Sequence, residues 1–201
     1  MFFPVSDAST TVLFSPVEEF FASMVAMKQS GQVDQNTIKN VSSALGQRIG
    51  DPTIPDQYTN KDLKLSKTDN KNTKVKYYSD LKTLFDKYKT SGLGDELSKV
   101  STISSSPNNE LDVNTAIKLN SIANAYQDFA QKALNISVPS SLASNQLEIV
   151  NSANNTGLAV KNMTQISTDP IVGLSGLSQY KKYSDDLISS VGNLQKALSG
   201  N

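Results

Sequence analysis

The feature that most constrains this chain is the spacing of its apolar residues. Leu119, Ile122, Tyr126, Phe129, Ala133 and Ile136 recur at intervals of three and four, the period that lines one face of an α-helix. The seam is heptad-like and runs for about 26 residues. Val138-Pro139 ends it, because the residue before a proline avoids the α region. Ser140 or Ser141 then serves as the cap of a helix carrying Leu142, Ile149, Ala153, Val160 and Met163. Asp169-Pro170 repeats the device ahead of Leu177, Tyr180, Leu187, Val191, Leu194 and Leu198. Helices of about 26 to 30 residues measure roughly 40–45 Å at the standard rise. With short connections they fold most economically as an all-α, up-and-down bundle of long antiparallel helices.

The N-terminal quarter predicts a helical hairpin. Ser15-Pro16-Val17-Glu18 has capping-box spacing with proline at the first helical position. Val17, Phe20, Phe21, Met24 and Val25 follow on one face, and Gly31 is a stop. Asp34 caps a second stripe of Ile38, Val41, Leu45 and Ile49, closed by Gly50-Asp51-Pro52. The expected organisation is therefore an N-terminal segment and hairpin over 1–50, a linker or short hairpin over 51–73, and a main helical bundle over 74–201, all in one unit.

Within 51–73, Leu63 and Leu65 alternate with lysine and serine, as Val75 and Tyr77 alternate with lysines. That pattern allows a strand pair across 62–77, although arms so short and lysine-rich fit an extended linker entering a helix at Thr73 better. A third helix is expected from about Lys74 to Ser91, with Tyr78, Leu81, Phe85 and Tyr88 on its face. Gly92 and Gly94 interrupt it, Leu97, Val100 and Ile103 resume it, and Ser104–Asn109 is a loop.

Composition narrows the chemistry more than the fold. Histidine and cysteine are absent, which removes the usual general base near neutral pH, thiolate nucleophiles, and zinc or iron–sulfur ligation. Basic and acidic residues number 19 each, and Arg48 is the single arginine, so neither a basic stripe nor a guanidinium fork for phosphate is present. No nucleic-acid partner and no cofactor or metal is expected. The start lacks a signal peptide's basic and long apolar regions, and no apolar run is long enough to span a bilayer.

The candidate constellations are weak. Glu18-Glu19 and Asp185-Asp186 are adjacent on helices, and so point about 100° apart and cannot act together. Asp69–Thr73 loosely resembles a calcium loop but lacks its glycine and closing glutamate. Four N-glycosylation patterns, at Asn40, Asn135, Asn154 and Asn162, are expected by chance in so asparagine-rich a chain. The lysines between Lys61 and Lys99 are interleaved with Asp62, Asp80, Asp86, Asp95 and Glu96, a solvated helix face. Gly157, Gly173, Gly176 and Gly192 interrupt helical patterns, which either lets helices approach closely or leaves them locally weak against a partner. The tyrosines fall on or beside apolar stripes, and a ligand pocket between long helices would lie near Tyr126, Phe129 and Tyr180.

Val138-Pro139-Ser140-Ser141-Leu142, Leu147, Val150-Asn151-Ser152 and Asp169–Leu174 leading to Tyr180 resemble motifs of a group of hypothetical helical proteins. These are apparently secreted or membrane-anchored proteins of candidate-phyla bacteria, the small-genome ultrasmall cells. Tyr58–Leu65 followed by Tyr77-Tyr78-Ser79-Asp80-Leu81 is similar as well. The likeness covers about the last two-thirds of the chain; a histidine expected near Asn145-Gln146-Leu147 is missing, and so is the group's membrane anchor. The resemblance implies an extracytoplasmic location and a body whose anchor lies upstream, and it implies no activity.

Three functional readings follow. The first is a non-enzymatic extracytoplasmic module for envelope structure or protein–protein interaction. The second is a sensor-like bundle binding a small molecule at Tyr126, Phe129 and Tyr180. The third is a carboxylate-dependent hydrolase, which needs two carboxylates brought within about 5–10 Å.

Overall fold

A computed structural model describes residues 53–100 and 112–199. Among them the chain is mostly helical, with five helices packed against one another and no strand. They are α1 (Lys71–Tyr88), α2 (Glu96–Val100), α3 (Val113–Leu134), α4 (Ala143–Met163) and α5 (Pro170–Ser199), with 3-10 turns at Asn60–Asp62 and Ser140–Leu142. The expected hairpin within 1–50, Ile103 and the loop at 104–109 lie outside the described residues.

Side-chain caps set most helix starts. Asn70 Oδ1 accepts from Thr73 N–H at 3.1 Å while Thr73 Oγ1 accepts from Asn70 N–H at 3.0 Å. This reciprocal cap starts α1 at Lys71, ahead of the expected Thr73, and it replaces the strand pair across 62–77. Asp112 caps α3 through Asn114 N–H and Thr115 N–H. Asp169 accepts from Val172 N–H at 3.2 Å, capping α5 as its proline predicts.

The expected cap at Ser140 or Ser141 is different in kind. These residues form the 3-10 turn, and α4 starts after Leu142 with no side-chain cap of its own. Their donors go instead to Asp69, far away in sequence. Ser141 N–H lies 2.6 Å and Ser140 Oγ 3.0 Å from its carboxylate. Those bonds, the Ser141 backbone bond foremost, hold the Asp69 carboxyl below its usual range.

The chain before α1 forms a strap. Around Leu65 it meets Val138 in one parallel bridge, Ser66 N–H donating to Val138 O at 2.8 Å and Val138 N–H to Lys64 O at 2.9 Å. Further upstream its backbone has no neighbouring strand among the described residues, and α4 side chains fill the need. Asn151 accepts from Tyr58 N–H and donates to Tyr58 C=O, both at 3.0 Å. Asn155 donates to Asp56 at 3.0 Å. Tyr183 of α5 accepts from Ile54 N–H and donates to its carbonyl. Buried asparagines inside a helix are costly without partners; here they are the partners of an extended segment.

Helix α4 is central, packing on both α3 and α5. Gln146 Nε2 reaches Ala133 O at one end, and Gly157 lies against Ala123 O at the other, so α3 and α4 pair in opposing residue order. Gly157, Gly173 and Gly176 sit where a Cβ would strike a neighbour's backbone, whereas Gly192 faces open space. Close approach is thus the role of three of the four interior glycines.

Candidate functional site

Two of the three pocket candidates meet, and the third lies elsewhere. Tyr126 of α3 and Tyr180 of α5 belong to one buried cluster with Met163, Leu174 and Leu177. Phe129 belongs to a second cluster, its ring 4.7 Å from Phe85 and edge-on to Tyr88 at 5.8 Å. What joins Tyr126 and Tyr180 is a carboxylate. Tyr180 Oη donates to Glu96 Oε2 at 2.7 Å, the Tyr126 hydroxyl bonds the same side chain, and Gly94 N–H donates to Glu96 Oε1 at 3.0 Å.

Glu96 is 0% exposed, which corrects its reading as part of a solvated face. Gly92 and Gly94, at φ of +77° and +95°, let the chain turn back in left-handed conformations and push the start of α2 inward. Burial, and then the Glu96 carboxylate, push the Tyr126 and Tyr180 hydroxyls well above their ordinary range. The arrangement is a polar knot: each hydroxyl is committed to Glu96, and Phe129 packs in the other core cluster.

The other charged patches behave as solvated faces. Lys76–Asp80, Lys82–Asp86 and Lys89–Asp86 pair along α1, and Lys181–Asp185 and Lys182–Asp186 along α5. Hydrogen bonds from Lys82 and Lys89 draw the Asp86 carboxyl down to about 2. The Asp69–Thr73 stretch supplies two caps. Asn154 is buried, out of reach of a glycosylating enzyme. Among the described residues no group of three or more potential ligand side chains comes together to hold a metal, and no helix is long and apolar enough to cross a membrane.

Two surface features were not legible beforehand. The first is a groove of about 700 Å³ between the start of α1 and the end of α5, with Val75, Tyr78 and Leu198 as its apolar lining and Lys71 and Lys74 beside them. Val75 is 60% and Tyr78 47% exposed. Lys71 makes no ion pair among the described residues, and Lys74 lies 3.8 Å from Asp69. The second is a polar cavity between the strap, α4 and α5, carrying Asp56, Glu148 and Asp186. The alternation at Val75 and Tyr77 hinted at the first: in a helix those positions point about 160° apart, so one is buried and one is left outside.

No protein-family model, curated protein or solved structure matches the chain, and the functional reading rests on its own residues.

Proposed function

We propose that the chain is a non-enzymatic helical module acting by protein–protein contact, and that the α1–α5 groove receives an acidic amphipathic helix of a partner protein. The observation that carries this reading is the exposure of Val75 and Tyr78 beside Leu198 in a groove with two lysines. An apolar floor takes a helix's apolar face. Lysines at the rim favour glutamate or aspartate on that helix and steer its approach. In the same reading the long helices form an up-and-down antiparallel bundle to which residues 1–50 add a helical hairpin, and the module works outside the cytoplasm. The opposing residue order of α3 and α4 supports the first, and the likeness to secreted or anchored proteins supports the second.

The hydrolase reading is weaker on physical grounds. A general acid needs a desolvated carboxyl, whereas Asp56, Glu148 and Asp186 stand exposed to solvent. Glu96 is buried and is already bonded by two tyrosines.

Fluorescence anisotropy tests the docking proposal. A labelled helical peptide with leucines at coiled-coil spacing and glutamates on its flanks is titrated with the full chain, alongside a lysine-flanked counterpart. The acidic peptide is expected to bind, the basic one to bind at least tenfold more weakly, and Tyr78→Glu to weaken the acidic peptide by tenfold or more, equivalent to about 1.4 kcal/mol. Equal binding of both peptides, or indifference to Tyr78→Glu, overturns it. Export is tested by cell fractionation of the native source, where a wholly cytoplasmic pool contradicts the location.

A further inference from the structure

The apolar surface of the α1–α5 groove continues beyond its own lining. Ile188 is 72% exposed and stands seven residues before Gln195, a groove residue, and so on the same side of α5. The surface thus leads along α5 from the groove toward Tyr183, where the strap is bonded to the helix at Ile54. The described fold begins at residue 53, next to that anchor. Residues 1–52 therefore join the molecule on the same helix that forms one wall of the groove.

Charge selects a segment among them. Residues 1–27 carry Asp7, Glu18 and Glu19 and no lysine or arginine, and they hold the stripe of Val17, Phe20, Phe21, Met24 and Val25. The second stripe, from Ile38 to Ile49, carries Lys39 and Arg48 and no acid. An acidic apolar stripe is the complement of a floor of Val75, Tyr78 and Leu198 edged by Lys71 and Lys74. Reach permits the match. Tyr183 to Leu198 is about 22 Å along α5 at the standard rise. Residues 29–52 would span about 25–30 Å as a flexible coil, or about 36 Å as one helix. A tether of that length holds its segment at an effective concentration on the order of millimolar.

We infer that the groove's resting occupant is this chain's own segment 16–28, seated as a helix with Phe20, Phe21 and Met24 on the apolar floor and its glutamates beside Lys71 and Lys74. This rests on the reading of the groove as a seat for an acidic amphipathic helix. It adds the regulation of that seat: a partner's helix enters only by displacing the chain's own.

Paramagnetic relaxation in the full chain tests the occupancy. The chain has no cysteine, so Ala26→Cys carries a single nitroxide, on the side of the expected helix opposite Val17. The amide signals of Val75, Tyr78 and Leu198 should broaden, while that of Ile171, about 40 Å from Leu198 along α5, stays sharp. Phe21→Glu in the labelled chain should abolish the broadening, and Glu18→Lys combined with Glu19→Lys should reduce it. Mixing nitroxide-labelled chains with isotope-labelled parent chains should broaden nothing; groove broadening in that mixture assigns the seat to a second copy and overturns the inference. Anisotropy separates this inference from partner docking. The acidic peptide should bind Phe21→Glu about tenfold more tightly than the parent, the factor for a groove about nine-tenths occupied. Sharp groove signals in the labelled chain, or equal peptide affinity for parent and Phe21→Glu, overturn the occupancy and leave partner docking standing. Groove broadening with no peptide bound by either chain upholds the occupancy and overturns partner docking.

Discussion

Replacing single glycines of α5 by alanine should move stability in opposite directions. At Gly176 an added Cβ would lie 2.7 Å from Ala159 O, Asn162 Cβ and Met163 N. At Gly173 it would lie 2.3 Å from Ile166 Cα and 2.6 Å from Ile166 Cβ. Ordinary contact begins at 3.4 Å, and most of these atoms are backbone, unable to rotate away. Alanine gains about 1 kcal/mol over glycine in a helix interior, while overpacking costs about 1–3 kcal/mol, with rigid neighbours toward the upper end. Gly176→Ala should therefore lose about 2 kcal/mol net, and Gly173→Ala more. Gly192 has nothing within 4 Å, so Gly192→Ala should gain about 1 kcal/mol. For a domain of this size a change of 1 kcal/mol moves Tm by about 2–4 °C. Urea unfolding followed by far-UV circular dichroism gives all three values at constant slope. If Gly176→Ala stays within about 0.5 kcal/mol of the parent, the range of an ordinary surface change, close packing of α5 on α4 is refuted; the same result for Gly173→Ala refutes the close contact of α5 with Ile166 in the turn before it.

The remaining predictions follow the same logic. Asn151→Ala removes both bonds to the Tyr58 backbone and should cost about 1–3 kcal/mol, with faster hydrogen exchange at the Tyr58 amide. An unchanged exchange rate means the strap is held otherwise. Glu96→Ala strands the Tyr126 and Tyr180 hydroxyls and should destabilise by about 3 kcal/mol or more, while Glu96→Gln should retain most of that stability; equal losses in urea unfolding contradict the knot. Tyr77, Tyr126 and Tyr180 are all pushed above the ordinary value of 10.0, chiefly by burial. Their contribution is whole below pH 10 and shrinks above it, where the unfolded chain ionises first. Tyrosinate absorbance should therefore appear together with loss of helix, and ionisation of all seven tyrosines with helix intact would be contrary. At the acid end Asp86, lowered from 3.8 to about 2, should add stability that fades as pH falls through that interval. Asp86→Asn should flatten that part of a pH–stability curve.

Helices α3 and α5 were legible because one local signal, apolar residues at three and four, coincides with what packs: Leu119, Ile122, Tyr126, Phe129 and Ala133 are all buried. Ile136 overran the end of α3, since a chain approaching Pro139 stops being helical before the apolar pattern stops. The rest depended on partners remote in sequence. Asp69 serves a turn beyond residue 138, and Asn151 serves Tyr58. Glu96 is buried because two tyrosines from other helices meet it, and charge patterning on its own segment reads as solvent-facing. The residues proposed for a pocket were good candidates for burial, and burial is where they went; Phe129 separated from the other two because the core divides into two clusters. Grooves form where elements fail to cover one another, which no spacing rule records, so both surface sites emerged only from the packing of α5 on its neighbours.

The most direct test of the docking claim is a heteronuclear NMR map of the full chain with the glutamate-flanked helical peptide. Shift changes concentrated at Lys71, Val75, Tyr78 and Leu198 are predicted. Changes concentrated at Tyr183–Asn193 instead, or small ones spread evenly over every helix, would contradict it.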